Sequence, residues 1–450
     1  MHLHHVKRRN AALLPAAACF GVFLLVYGLL HTNPAALEEG LWKILTHEDV
    51  LVTDYIYLSG IGPAFFNAGL VTLISVGILY LVGETPNGST LVTIGLMAGF
   101  SLFGKNYVNI WPIMGGTALY AWLKREPLAK FVNVAMLATS LAPMVSFLAS
   151  VVSIWVGILV GVLIGFLMPP VSEYAFRIQN GMNLYSTGFA CGLVAMIFVP
   201  VFKALGLSPT SRLLWSTGNN RDLGLMLVLI CLGCILFALF PTPKDTLSKY
   251  WKLLHTAGRA PSDYLRVFGH GPVLLNIGIN GLCAMGYLLL TGGDLNGPTI
   301  GAIFTIMGFS AYGKHLFNIT PVMLGVLLGS TFLHVATNHE ALQLAALFGT
   351  TLAPLSGFFG WPFGVLAGLL HSAVVLQAGL PLEGMNLYNN GFSGGLVALV
   401  LYPVITSLYR HRRPVLQNED LFEIYENDTP QPQEQLNIHA NDDLQMPHQR

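Results

Sequence analysis

The sequence predicts an all-α integral membrane protein made of two inverted repeats, each with about five transmembrane helices plus a re-entrant hairpin. The first observation behind this prediction is composition. Apolar residues make up 54% of the 450 residues and charged residues only 10%, whereas soluble domains carry about a quarter charged residues. The formal net charge of zero indicates no nucleic-acid surface. The chain therefore lacks the polar surface of a water-soluble globule. This composition predicts that its main partner is the lipid bilayer.

The second observation is an internal duplication. The stretch GMNLYSTGFACGLVA at 181–195 returns as GMNLYNNGFSGGLVA at 384–398, with eleven identical positions out of fifteen. Residues 54–116 also match 263–325 without a gap, and 26 of these 63 positions are identical. The shared residues include Gly, Asn, Pro, Lys and Asp, so apolar composition alone does not explain the match. The sequence therefore predicts two membrane repeats, at about 11–208 and 222–409.

The third observation is the unequal charge of two equivalent loops. The loop at 32–54 contains one Lys and no Arg. Its counterpart contains five basic residues: Lys244, Lys249, Lys252, Arg259 and Arg266. Because basic loops favour the cytoplasmic side, the two loops are expected on opposite faces of the membrane, which makes the repeats inverted.

Other basic segments complete the predicted topology. The basic segments at 1–10, 124–130 and 409–413 are all expected inside, which predicts a multi-pass protein of the plasma membrane with both termini in the cytoplasm. The polar, acidic segment at 414–450 is predicted to be a disordered tail.

Long apolar runs predict five helices in the first copy. They lie at about 11–31, 62–83, 131–150, 151–169 and 183–203. Residues 88–123 contain two apolar stretches of about 16 residues on either side of GKNYVN, and each stretch is short for a full span of ~30 Å. This segment and its counterpart at 297–332 are predicted to be re-entrant hairpins, giving ten crossings in total. The alternative is two pairs of short spans, which gives fourteen.

Polar residues that recur at membrane depth in both copies are the candidate substrate-binding residues. They are Asn67, Asn276, Asn109, Asn318, Asn183, Asn386, Tyr185, Tyr388, Lys105 and Lys314. A buried amide costs free energy unless it is hydrogen-bonded, and it suits a small polar solute. The alternative for each Asn is a hydrogen bond that holds neighbouring helices together.

Lys105 and Lys314 occupy the two expected hairpin tips, in GKN and GKH. A lysine within the membrane favours anions or carbonyl oxygens. The alternative is a tip that reaches the opposite interface, where water solvates the ammonium. No catalytic motif, metal site or cofactor is predicted, and the five cysteines lie in apolar runs typical of a core.

The blocks GIGPAFFNAG and GMNLY resemble an uncharacterised family of bacterial polytopic membrane proteins, a domain of unknown function, over most of residues 11–409. The stretch LYNNGFSGGLVALV is also faintly similar to urea transporters, which implies two inverted copies of five helices with a re-entrant half-helix each. The Asn-Asn-Pro motif of those transporters is missing, and FFNAG and LLNIG stand in its place. The similarity therefore implies a shared fold more strongly than it implies urea as the substrate.

The sequence favours a transporter or channel for a small polar solute, with its path between the two repeats. An intramembrane enzyme that acts on a lipid or lipid-linked substrate is the main alternative, and a scaffold or regulatory membrane protein is a third. Symmetry favours transport, because a catalytic site usually needs different residues from each half, whereas a path uses matched ones. Assembly into a homo-oligomer stays open.

Overall fold

A computed structural model describes residues 12–209, 212–240 and 242–408 of the chain. The helical prediction is confirmed, and these ranges contain no β-strand. The predicted basic N-terminus (1–10) and acidic tail (414–450) lie outside the described residues.

Each copy contributes ten α-helices in the same order. In the first copy they are α1 (Leu13–Leu30), α2 (Pro34–Thr46), α3 (Tyr55–Ser59), α4 (Ile61–Leu81), α5 (Gly88–Phe100), α6 (Trp111–Lys124), α7 (Val132–Ala138), α8 (Ala142–Val151), α9 (Ile154–Ile178) and α10 (Ser186–Ala204). In the second copy they are α11 (Asn220–Leu239), α12 (Pro243–Leu253), α13 (Tyr264–Phe268), α14 (His270–Leu290), α15 (Gly297–Phe309), α16 (Leu316–Leu333), α17 (Glu340–Phe348), α18 (Ala353–Phe359), α19 (Trp361–Ala378) and α20 (Asn389–Leu408).

Eleven helical segments of the described chain are long and apolar enough to cross a membrane. All five helices predicted in the first copy are present, although α9 continues to Ile178 instead of ending near 169. The eleventh candidate is α16, the second arm of the second predicted hairpin, at 18 residues. The protein is therefore a multi-pass membrane protein.

The third span of each copy is broken in its middle. A short 3₁₀ turn at Thr139–Leu141 separates α7 from α8, and one at Gly349–Leu352 separates α17 from α18. Pro143 and Pro354 follow these turns. Proline has no N–H to donate and its ring clashes with the carbonyl four residues earlier, so the regular helix is interrupted here. The interruption leaves backbone carbonyls free to bind other segments.

Residues 88–124 form two helical arms joined by an irregular tip at 101–110. The side chain of Asn133, at the start of α7, donates to Glu84 Oε1 (2.8 Å) and to Ser89 Oγ (3.2 Å). The end of α4, the start of α5 and the start of α7 therefore lie together. Because only seven residues connect α6 to α7, the outer ends of both arms lie at this same level, as in a hairpin. Gln343 makes the corresponding link in the second copy, where its Oε1 accepts from the backbone N–H of Asp294 (3.3 Å).

The two copies pack against each other through two pairs of counterpart helices, α5 with α15 and α10 with α20. Glycines permit both close approaches. A methyl group on Gly99 would lie 2.6 Å from the carbonyl oxygen of Gly301, and one on Gly301 would lie 2.6 Å from the carbonyl oxygen of Gly99. Gly188 and Gly391 face each other in the same reciprocal way. Each contact thus has a mirrored partner contact from the other copy.

Candidate functional site

Asn67 in α4 fixes the tip of the first hairpin. Its amide nitrogen donates to the carbonyl oxygens of Ser101 (2.7 Å) and Lys105 (2.9 Å). Asn276 does the same in the second copy, donating to Ser310 (2.8 Å) and Lys314 (2.7 Å). Both asparagines are fully buried. In this conformation their amide hydrogens are occupied by backbone, so the two residues position the tips.

Asn109 and Asn318 close the turn at each tip. Asn109 donates to the carbonyl of Gly104 (3.1 Å) and Asn318 to that of Gly313 (2.8 Å). The turn glycines have φ of +99° and +102°, the left-handed region that favours glycine. These bonds explain the local sequence pattern G-K-x-x-x-N, in which the lysine sits at the apex of the tip.

The two GMNLY segments brace each other. Asn183 donates to the carbonyl of Gly391 (3.2 Å) in α20, and Asn386 donates to that of Gly188 (3.4 Å) in α10. Each segment also binds the broken span of the other copy. The backbone N–H of Leu184 donates to Thr351 O (3.1 Å), and the N–H of Leu387 donates to Ser140 O (3.0 Å). Both segments are therefore held by residues from both copies.

Each hairpin lysine reaches the tyrosine of the opposite copy. Lys105 Nζ donates to Tyr388 Oη at 2.8 Å. Lys314 Nζ donates to Tyr185 Oη and to Thr350 Oγ1, the latter at 2.7 Å. Both lysines have 0% exposure. The lysines at the tips are therefore not solvated by water in the structure, in contrast to the alternative given above.

Aromatic rings surround both ammonium groups. Lys105 Nζ lies 4.8 Å from the ring centre of Tyr388 and 5.4 Å from that of Phe100. Lys314 Nζ lies 4.4 Å from the ring centre of Tyr185 and 5.2 Å from that of Phe309. Cation–π contacts of this kind favour a cation by about 0.5–2 kcal/mol, which is far less than an ammonium loses when it leaves water.

The lysines lack the acceptors that an ammonium needs. A lysine head offers three donors. Within the described residues, Lys314 Nζ has two hydroxyl acceptors, and Lys105 Nζ has one hydroxyl and the sulfur of Met97 at 3.7 Å. No carboxylate of the described residues forms a salt bridge with either lysine. Each copy thus presents a lysine amino group with incomplete hydrogen bonding at the interface between the copies.

A narrow cavity lies beside the two tyrosines. Its volume, measured as the space open to the centre of a water molecule, is about 10 Å³, so it has room for about one water. Its lining comes from both copies: Leu96, Phe100, Tyr185, Thr305, Phe348, Leu387, Tyr388, Asn390 and Gly391. The structure is therefore closed around the candidate site, and Tyr185 and Tyr388 are the two predicted residues that face this space.

Several residues of the site were not among those predicted. Thr350 binds Lys314, while Ser140 and Thr351 hold the GMNLY segments. The signal that identifies them is a third repeat, TSLAP at 139–143 and TTLAP at 350–354. Thr and Ser are common in apolar helices, so this repeat is less conspicuous than a lysine or an asparagine.

The first expected outcome concerns Asn183. Its Oδ1 accepts from Thr351 Oγ1 and from the N–H of Tyr185, and its amide nitrogen donates to Gly391 O and to Gln179 Oε1. Asn183→Leu leaves these buried groups unpaired and is expected to lower the free energy of unfolding by about 2–4 kcal/mol. Thermal unfolding in detergent measures this. Asn389→Ala is the matched control, because the side-chain oxygen of Asn389 has no partner in the described chain, and an equal loss in both variants would contradict the bracing role.

The comparisons with known proteins place the chain in a family. A family model described as "protein of unknown function (DUF1576)" matches residues 33–204 and again 242–407. The chain therefore belongs to this family, and the two matches fall in the two copies. No curated protein matches the chain, and no solved structure matches it. The faint urea-transporter similarity accordingly gains no support from these comparisons.

Proposed function

We propose that the protein is a transporter or channel for a small solute that carries negative charge or strong hydrogen-bond acceptors. The observation that supports this most is the pair of buried lysines, Lys105 and Lys314. Each has fewer than three strong acceptors and no carboxylate partner in the described chain. A buried charge is costly in a membrane protein and marks a functional site. An anion or a carbonyl oxygen would complete both lysines. The hydroxyl groups of Tyr185 and Tyr388 now accept from the lysines. When a solute binds, it would replace these hydroxyls as the acceptor.

We also propose that the copies cross the membrane in opposite directions. Asp54, just before α3 and α4, accepts from the N–H of Gly297 (3.1 Å), at the start of α15. The start of α4 therefore lies near the end of α14, its counterpart. The carboxylate of Asp263 makes the reciprocal bond with the N–H of Gly88, which brings the start of α14 to the end of α4. Each of these two counterpart helices therefore starts beside the end of the other, so they run antiparallel. This placement supports an inverted arrangement, in which the hairpins enter from opposite faces.

Labelling of counterpart residues tests the inverted arrangement. Glu39 in α2 and Ser248 in α12 are both exposed and lie 209 positions apart. In a background without the five natural cysteines, Glu39→Cys is expected to react with an impermeant thiol reagent from outside the cell. Ser248→Cys is expected to react only after the membrane is opened. Reaction of both from the same face would show parallel copies.

A flux screen tests the transport proposal. Purified protein in proteoliposomes is offered chloride, nitrate, formate, acetate, urea and acetamide, with protein-free liposomes as the control. We expect saturable uptake of at least one anion, at a rate at least tenfold above that of either neutral amide. Uptake restricted to neutral solutes or cations would overturn the anion assignment. Chemical conversion of added lipid without any flux would favour the enzyme alternative.

A further inference from the structure

The first copy contains a buried carboxylate that the second copy lacks. Asp49 lies in the loop between α2 and α3 and has 0% exposure. Its counterpart 209 positions later is Gly258. Both residues have left-handed backbone, with φ of +57° at Asp49 and +69° at Gly258. Glycine adopts this conformation without steric cost, whereas an aspartate there is uncommon. The first copy therefore keeps a carboxylate where the backbone favours glycine.

Four side chains donate hydrogen bonds to Asp49. Tyr55 Oη donates to Oδ1 at 2.7 Å, and Ser146 Oγ donates to Oδ2 at 2.8 Å. Asn106 and Asn109, both in the first hairpin tip, donate to Oδ2 at 3.2 and 3.1 Å. One carboxylate thus joins the tip to α3 and α8.

The second copy has no room for such a group. Ser146 corresponds to Gly357, where an added methyl group would lie 2.1 Å from the carbonyl oxygen of Ala257. A methyl group on Gly258 would likewise lie 2.1 Å from the carbonyl oxygen of Gly313. At these positions the second copy packs backbone directly against backbone, which leaves no space for a side chain. The carboxylate cluster is therefore a specific feature of the first tip, in contrast to the matched lysines and tyrosines.

The Asp49 loop also touches the candidate site. Asn106, which binds Asp49, directly follows Lys105 in the chain. Two residues beyond Asp49, the N–H of Leu51 donates to the carbonyl of Gly384 (3.0 Å), in the segment that carries Tyr388. The loop therefore contacts the two segments that carry Lys105 and Tyr388, and a change at Asp49 reaches the pair through these segments.

We propose that Asp49 is a proton-binding site that controls the opening of the first hairpin tip. Gain of one proton removes the cost of burying a negative charge in the closed tip, and loss of the proton restores that cost. Given the transport proposed above, on which this extension rests, the proton would be coupled to solute movement on one side of the path only. The absence of a carboxylate at Gly258 makes the control asymmetric.

The sign of the control follows from burial. Burial raises the pKa of Asp49 to about 7, and hydrogen bonds from Tyr55, Ser146 and Asn109 partly oppose this rise. In an open, hydrated tip the carboxyl would have a pKa near ~3.9. The closed tip therefore binds the proton more tightly, so protonation favours closure and deprotonation favours opening. Between pH 6 and 8, these two pKa values shift the equilibrium toward the open tip by about tenfold.

Other titratable groups near Asp49 are few. On its own loop, the ring nitrogen Nδ1 of His47 accepts from the N–H of Asp49 (3.2 Å), and burial lowers the pKa of His47. Glu48 and Arg212 interact with His47 and do not bond to Asp49. On the facing segment before α20, Glu383 is paired with Lys203 at 2.5 Å. Tyr55 is also titratable and donates to Asp49 directly. Lys105 directly precedes Asn106 in the tip. His47 and Lys105 are therefore the nearby groups that need a control.

Accessibility of the two tips tests the proposal without any solute. Ile110 and Ile319 are counterparts beside the first and second tips, and both are fully buried. In the cysteine-free background, the labelling rate of Ile110→Cys, divided by that of Ile319→Cys at the same pH, is expected to rise about tenfold from pH 6 to 8. Asp49→Asn, a neutral mimic of the protonated acid, is expected to keep this ratio low and constant. His47→Gln and Lys105→Met are each expected to leave the rise intact.

Two outcomes would overturn the proposal. One is a ratio that does not change with pH in the protein with Asp49. The other is a rise that survives in Asp49→Asn or disappears in His47→Gln or Lys105→Met, which would assign the titration to another group. Because labelling needs no substrate, these outcomes are separate from a failure of the flux screen. Flux without pH-dependent labelling would leave the transport proposal standing and remove the role of Asp49.

Discussion

Replacement of Lys105 or Lys314 by methionine is expected to abolish transport and to leave the fold as stable as before or more stable. Methionine has a similar length and no charge, so it removes the cost of burying an ammonium that lacks a carboxylate partner in the described chain. Replacing buried charged groups by apolar ones of similar volume is often neutral or stabilising, by about 1–4 kcal/mol. Flux is expected to fall at least tenfold because the positive group that attracts the solute is gone.

Exposed lysines provide the matched controls. Lys43 and Lys249 form surface ion pairs with Glu39 and Asp245, one helical turn away, and such pairs contribute little to stability. Their methionine variants are expected to transport at the wild-type rate with an unchanged unfolding temperature. Flux measured in proteoliposomes and thermal unfolding measured on the same preparations separate the two effects. If Lys314→Met transported normally, or if it unfolded and lost flux together, the lysine would be structural.

Replacement of Gly301 by alanine is expected to separate the two copies. Its methyl group would meet the carbonyl oxygen of Gly99 at 2.6 Å, closer than carbon and oxygen can pack, so α5 and α15 would have to move apart. The crossing is deeply buried, since α15 is buried along its whole length and α5 at every position except Ser89 and Leu91. We expect a loss of about 2–4 kcal/mol of unfolding free energy, in the range for severe overpacking, and a fall in the yield of folded protein.

A second glycine in the same copy supplies the control. A methyl group added to Gly286 in α14 would meet nothing within 4 Å, and the same holds for its counterpart Gly77. Alanine has the higher helix propensity by about 1 kcal/mol, so Gly286→Ala is expected to preserve or raise stability. Thermal unfolding of both variants in detergent measures the contrast. Equal behaviour of Gly286→Ala and Gly301→Ala would mean that close approach at the crossing is not required.

The duplication made much of the fold predictable. Repeated Asn and Lys residues stand out within apolar spans because their burial has a cost, and the structure places Asn67, Asn276, Lys105 and Lys314 in matched positions. The helices and the irregular tips at 101–110 and 310–315 follow from apolar run lengths and from turn residues. Length alone does not separate α16 from a full span, because its 18 residues are long enough to cross a membrane, whereas the 14 residues of α6 are short for a crossing.

The site itself depended on information that a repeat does not contain. A duplicated sequence does not indicate whether Lys105 meets Tyr185 of its own copy or Tyr388 of the other, because that choice is made by helix packing. Asp49 was not predicted for the opposite reason, because its counterpart in the second copy, Gly258, carries no carboxylate. Asymmetric residues in a duplicated chain therefore need the three-dimensional arrangement before their importance is visible.

The most direct test of the central proposal is modification of a cysteine placed in the cavity between the copies. Thr305 lines this cavity and is fully buried in the closed structure. In the cysteine-free background, Thr305→Cys is expected to react with a hydrophilic thiol reagent, to lose flux when it has reacted, and to react at least threefold more slowly with saturating transported anion. Ile197→Cys, on the exposed apolar surface of α10, is expected to keep its flux. A Thr305→Cys protein that never reacts, or that reacts and still transports at full rate, would contradict a path between the two copies.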